Sequence, residues 1–190
     1  MTNNVLAQFS QVGEDLVWQG LTTSHGGNIS IRHQGRIVIT THFAMLGRLS
    51  GGDVIEIPLK EEAARIDSDA SRDAALHQLI YKFTPAMAVI HAHSAHAVAM
   101  SLKNDIVSPL DLEGSLFLRD IAVVAPEDAA SRLPQLLQAR VAALVRGHGS
   151  YAVGRTLTEA LAYTSALEFS CRVACLRGPA DKQEPASGGR

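Results

Sequence analysis

Two histidines stand two residues apart in Ala88-Val89-Ile90-His91-Ala92-His93-Ser94. The apolar run before them, Ala86 to Ile90, has the character of a buried strand. On an extended strand, side chains at i and i+2 share a face, so the imidazoles of His91 and His93 stand side by side. Two neutral imidazoles on one face are two ready ligands for a transition metal. By itself, the pair suits an ordinary strand as well as a metal site. A third donor is offered by Arg146-Gly147-His148-Gly149-Ser150, where glycines after the apolar run Val141 to Val145 make a tight turn that carries His148. Three histidines with an open fourth position is the usual plan of a catalytic zinc site.

Other residues have two readings. Ser24-His25-Gly26-Gly27-Asn28 precedes the alternating stretch Ile29 to Arg32. Glycines there let the backbone approach a ligand, and successive N–H groups can form an anion nest, but the same glycines suit an ordinary turn. Cys171 and Cys175 are spaced i, i+4 on a predicted helix, and Val173, Ala174 and Leu176 around them favour packed thiols over metal ligands. Tyr151 reads as a core residue, and His77 as a helix residue packed near the site.

The elements that must position these groups follow from periodicity. A first helix spans 3–19 on Val5, Leu6, Phe9, Val12, Leu16 and Val17, with Gly20 as its stop. Strands follow at 29–32, 37–40 and 54–58, the first two joined at Gly35-Arg36. Residues 60–70 read as an exposed excursion. A helix runs from about Ser71 to Phe83, and Pro85 ends it. The histidine strand at 88–93 leads to a short helix at 95–102. Pro109 to Leu118 reads as loop and strand, 121–124 as a strand, and 127–139 as a helix with Pro134 at a first turn or break. Thr156 and Glu159 make a capping box for a last helix reaching Leu176. Residues 1–177 read as one domain and 178–190 as a disordered tail.

Composition narrows the class. The chain has 190 residues, 46% hydrophobic and 19% charged, with a net charge of −2. That suits one globular domain and shows no basic bias toward nucleic acid or an anionic membrane. No apolar run approaches the ~20 residues of a membrane span, and the N-terminus lacks the pattern of a signal peptide. The expectation is a cytoplasmic protein with no nucleic-acid or membrane partner.

Taken together, Gly27-Asn28-Ile29-Ser30, Leu76-His77-Gln78-Leu79-Ile80-Tyr81 with Pro85, His91-x-His93, and Gly147-His148-Gly149 carry a resemblance in their order and spacing. The chain resembles the class II aldolase/adducin family from about residue 3 to 177. The resemblance implies an α/β, three-layer α/β/α fold with a central, mostly antiparallel sheet. It implies a homotetramer with active sites between neighbouring subunits, and a Zn2+ ion held by His91, His93 and His148, with other divalent transition metals also suited to three imidazoles. It places the catalytic base four positions before the helix histidine, at Asp73, where the family usually has glutamate. A carboxylate one methylene shorter keeps the same acid–base chemistry; alternatively, Asp73 serves only the first turn of its helix. Glu113, in Asp-Leu-Glu-Gly, lies where members place a proton-transfer residue that reaches a neighbouring subunit, and it reads equally as a surface acid.

The family's phosphate cradle maps onto Gly27, Asn28, Thr40, Ser71 and Arg72. Phe43 stands where that pattern has glycine, so the anion pocket departs from the family plan. Arg72 suits a phosphate or a carboxylate. The resemblance therefore implies a zinc-dependent lyase that cleaves a carbon–carbon bond of a ketose, phosphorylated or not, by retro-aldol chemistry. The same site also suits a dehydratase, decarboxylase or epimerase of a sugar or sugar acid. A non-catalytic, adducin-like interaction module is the remaining alternative, and the intact histidine triad argues against it.

Overall fold

The computed structural model describes residues 3–59 and 69–178. Its elements are α1 (Asn3–Trp18), β1 (Asn28–His33), β2 (Arg36–Thr40), β3 (Val54–Pro58), α2 (Ala74–Phe83) and β4 (Ala88–Ala92), then α3 (Ala95–Ser101), β5 (Ile106–Val107), α4 (Leu112–Phe117), β6 (Ile121–Val124), α5 (Ala129–Leu136), β7 (Ala142–Val145), β8 (Gly149–Gly154) and α6 (Leu157–Arg177). The strands form one sheet in the order β3-β2-β1-β4-β8-β7-β6-β5. Among the described residues, β6 and β7 are the one parallel pair; the other neighbours are antiparallel. The expected mostly antiparallel sheet between helical layers is what forms.

Strand alternation divides the core in two. Ile37, Ile39, Val89, Tyr151 and Val153 face α2 and α5, where Ile80, Tyr81, Leu133 and Leu137 meet them. Val38, Ala88, Ile90 and Ala92 face α1 and the start of α6, packing on Phe9, Leu16, Ala160 and Leu161. Farther along that second face, Leu144 and Ala152 pack with Ala97, Leu167 and Cys171. A period of two places alternate residues on opposite faces, so His91 shares the α2 side with Val89.

Several sequence expectations need correction. Residues 109–118 hold a helix, α4, rather than a strand. Asp111 opens it, and its Oδ1 accepts the Gly114 N–H at 2.7 Å. A two-residue strand, β5, precedes it at the sheet edge. The expected 127–139 helix is a 3-10 turn at Pro126–Asp128 followed by α5, with Pro134 inside the helix and buried. That helix ends two residues later, at Leu136, which limits how many backbone bonds the proline ring disturbs. The helix expected from Ser71 begins at Ala74. Cys171 is buried as expected, but Cys175 is exposed. The excursion at 60–68 and the tail at 179–190 lie outside the described residues.

Candidate active site

His91, His93 and His148 converge at one end of the sheet. Their nearest ring nitrogens all lie within 4.8 Å of one another. His91 is fully buried near the end of β4, His93 is half-buried just past it, and His148 is exposed. The open side of the group is therefore the His148 side. His148 sits on the turn from β7 to β8, with its N–H bonded to Val145 O at 3.0 Å. That turn is pinned by Arg146, whose guanidinium reaches Ser101 O at 2.7 Å, and by Gly147 N–H to Ser101 Oγ at 2.9 Å.

Close backbone approach makes the convergence possible. Gly27 has φ +73°, and a Cβ there would stand 2.4 Å from His91 O. A Cβ on Gly149 would stand 2.3 Å from Ala92 O. Both positions exclude any side chain, so β1 and β8 close on the end of β4.

The protonation pattern suits a cation. His91 Nδ1 donates to Ser150 O at 2.9 Å, which leaves the lone pair on Nε2. His91 Nε2 and His93 Nε2 face each other at 2.8 Å. Burial pushes the His91 imidazole well below its ordinary pKa, although Asp73 works the other way. Burial and His148 also lower His93. Neutral imidazoles with converging nitrogens are what a transition metal needs.

Asp73 immediately precedes α2, but its side chain does not cap that helix. The carboxylate turns into the site instead. Its Oδ2 accepts Asn28 Nδ2–H at 2.7 Å and lies 3.6 Å from His91 Nε2. Burial works to raise the Asp73 carboxyl, but His91, the Asn28 amide, His77 and His148 outweigh it and hold the group below the usual carboxylate range. Asp73 is ionised at neutral pH.

The remaining sequence candidates divide. Asn28, Thr40 and Ser71 gather near Asp73, with Asn28 Nδ2, Thr40 Oγ1 and Ser71 Oγ engaged within the chain. Thr40 Oγ1 accepts Ile29 N–H at 3.3 Å, and Ser71 Oγ accepts Asp73 N–H at 3.2 Å. Arg72 is exposed. Glu113 is exposed in the first turn of α4, an element that carries none of the histidines. Phe43 is 78% exposed, and its ring lies 4.4 Å from that of His42, giving this turn an aromatic surface.

Three features were not assigned from sequence. Tyr151 is more than core: its ring stacks on His91 at 4.1 Å and 12°. His77 is fully buried, with Nδ1 2.6 Å from Ser30 Oγ, which is 2.9 Å from Tyr81 OH. Arg146 and Ser101 hold the His148 turn. The placing of His77 near the site and the spacing of Arg146 beside His148 were visible in the chain; the contacts were not.

The family model for the class II aldolase and adducin N-terminal domain matches residues 7–175. The chain belongs to the class II aldolase/adducin family. L-fuculose-1-phosphate aldolase from Thermus thermophilus superposes with a TM-score of 0.87 at 36% identity, covering 94% of this chain and all of that one. The methylthioribulose-1-phosphate dehydratase of Gluconobacter oxydans (strain 621H) is 30% identical over 195 residues, covering 92% of this chain and 93% of the relative. The L-fuculose phosphate aldolase of Methanocaldococcus jannaschii is 27% identical over 173 residues, covering 89% and 94%. The family is metal-dependent, and this chain carries a three-histidine group that could hold a metal. Among the described residues, no helix is long and apolar enough to cross a membrane.

Proposed function

We propose that the protein is a zinc-dependent lyase that cleaves a carbon–carbon bond of a ketose, phosphorylated or not, by retro-aldol chemistry. The observation that carries this reading is the ionised Asp73 carboxylate 3.6 Å from His91 at the edge of the histidine group. His91, His93 and His148 are the proposed ligands, and three imidazoles suit zinc. A divalent ion held there supplies Lewis acidity, which polarises a carbonyl and makes a neighbouring proton or bond labile.

The chain's own groups supply the rest. Asp73 takes the proton of a hydroxyl beside the breaking bond and returns one to the carbon that is released. Asn28 holds the carboxylate. The exposed His148 side admits substrate. Glu113 is proposed to transfer a proton at the site of a neighbouring subunit in a cytoplasmic homotetramer. Gly27, Asn28, Thr40, Ser71 and Arg72 line the proposed anion side.

A second reading is dehydration of a sugar phosphate, favoured by the 30% identity to the dehydratase of Gluconobacter oxydans. It uses the same base and the same polarised carbonyl, but the group leaving the adjacent carbon is hydroxide.

The deciding experiment measures metal content and then turnover of L-fuculose 1-phosphate and methylthioribulose 1-phosphate. Release of dihydroxyacetone phosphate from the first supports the lyase. Loss of water from the second, without cleavage, moves the assignment to a dehydratase. No bound metal after zinc reconstitution, together with no turnover, leaves the interaction module.

A further inference from the structure

We propose that Ser101 and Arg146 are positioning residues for the metal: together they fix the turn that carries His148, with α3 as the strut between the second and third ligands. The inference rests on the reading of His91, His93 and His148 as the ligand set.

His148 is the exposed member of that set. Among the described residues, no side chain hydrogen-bonds its imidazole, so its place is set by the backbone beneath it. Three successive N–H groups of the turn are fixed. Arg146 N–H donates to Val124 O at 2.9 Å, and His148 N–H to Val145 O at 3.0 Å. Both bonds stay within the sheet and its turn. Between them, Gly147 N–H leaves the sheet and donates to Ser101 Oγ at 2.9 Å.

A second bond runs beside it. The Arg146 guanidinium donates to the Ser101 carbonyl at 2.7 Å and reaches Asn104 O at 3.4 Å. Ser101 is fully buried, and its Oγ donates to Val98 O at 2.7 Å. With its proton committed to Val98, the hydroxyl keeps its lone pairs for Gly147. Arg146 also pairs with Asp105, but the Asp105 side chain is 92% exposed, so this pair adds little. Gly147 has φ +68°, and Leu102 Cδ2 lies 3.3 Å from where its Cβ would stand. The turn therefore sits directly against the end of α3.

The helix joins this clamp to His93. It begins two residues after His93, where the Glu168 carboxylate accepts His96 and Ala97 N–H at 3.2 and 2.9 Å. Ser94 Oγ, just before it, donates to Leu21 O at 2.9 Å. The helix is thus held at both ends. Its 7 residues make a strut of roughly 10 Å. The rings of His93 and His148 meet with centroids 4.8 Å apart at 52°. Cutting the clamp leaves the His148 turn tied to the sheet alone. Metal binding must then order it, and affinity falls.

The test compares Ser101→Ala, Arg146→Met, the double variant and a control, Val12→Ala, with wild type. Val12 is buried in a core cluster that contains neither Ser101 nor the turn. Three readouts are taken: the Zn2+ dissociation constant by competition with a chromophoric chelator, the visible absorption of the Co2+-substituted protein, and the urea midpoint of the chelator-treated protein. Ser101→Ala and Arg146→Met should each raise the Zn2+ dissociation constant by roughly 10–100-fold. Both should change the cobalt bands, which report the number and arrangement of ligands. The double variant should lose less than the product of the two, because either cut frees the same turn. Val12→Ala should lower the urea midpoint and leave the dissociation constant within about twofold of wild type.

A dissociation constant within about twofold of wild type in Arg146→Met, with unchanged cobalt bands, overturns the proposal. That variant decides alone if Ser101→Ala does not fold. An equal rise in Val12→Ala also overturns it, because general loosening then accounts for the effect. No zinc or cobalt bound by wild type overturns the ligand reading itself, and the positioning role falls with it. The wild-type titration thus tells the two failures apart.

Discussion

His91 and Tyr151 are direct cross-strand partners whose rings stack almost flat, 4.1 Å apart at 12°. The stack fixes the plane of the imidazole, and the Nδ1–H bond to Ser150 O fixes its rotation. His91 is thus oriented before any ion binds. His148, by contrast, is held through the backbone of its turn and stands exposed.

That contrast separates two variants. His148→Ala should leave the metal-free protein within about 0.5 kcal/mol of wild type while metal per chain falls to near zero. His91→Ala should lose metal and also about 2–4 kcal/mol, because it opens a cavity beside Tyr151 and leaves Ser150 O without its donor. Plasma mass spectrometry and urea unfolding of both variants check this. Retained metal in His148→Ala would show that another group completes the ligand set.

Gly27→Ala should destabilise the protein by about 2–4 kcal/mol. The backbone there has φ +73°, and the new methyl would meet His91 O at 2.4 Å. The end of β4 must move to admit it, so metal affinity should drop as well. Denaturant titration and metal competition measure the two effects. A loss under about 0.5 kcal/mol would mean that the turn relaxes freely.

His77 predicts an acid sensitivity. Burial pushes this imidazole down to about 4, although Asp73 works the other way. Its Nε2 is buried without a hydrogen-bond partner among the described residues. The unfolded chain takes up the proton near ~6.5 and the folded one does not, so stability is complete above that value. It falls as the pH drops from about 6.5 toward 4, by roughly 3 kcal/mol in total from this group. Chelator-treated protein removes the competing effect of metal release. Its urea midpoint should decline over that range, and His77→Gln should make the decline shallower, leaving the part that the lowered His91 and His93 contribute. Equal slopes for the two proteins would exclude His77 as the source.

Glu168 ties α6 to the start of α3. Its carboxylate accepts Ala97 N–H at 2.9 Å, His96 N–H at 3.2 Å and the His96 ring at 2.7 Å. It caps the helix that directly follows the histidine strand. Glu168→Ala should cost about 1–2 kcal/mol, and His96→Ala less, because the two backbone N–H bonds survive the latter. Thermal melts of both variants decide the order. A larger loss in His96→Ala would place the weight on the ring instead of the cap.

Local features were legible from the chain alone. His91 and His93 share a face because the two-residue period belongs to the extended backbone. Thr156 caps α6, its Oγ1 accepting Glu159 N–H at 3.1 Å, because that bond closes within one turn; the Glu159 carboxylate accepts Arg155 N–H at 2.6 Å and not Thr156 N–H, so only half of the expected capping box forms. Residues 109–118 were misread because Leu110, Leu112 and Leu116 suit a short strand as well as a short helix, and the Asp111 cap decides between them. Tertiary structure alone decided that β1 and β8 flank β4 in the register that sets Asn28 and Tyr151 beside His91. It also decided that Asp73 turns away from its own helix. Such partnerships depend on which distant strands pair and in which register. A one-residue slip would send every one of these side chains to the opposite face, and no local period can choose between the two.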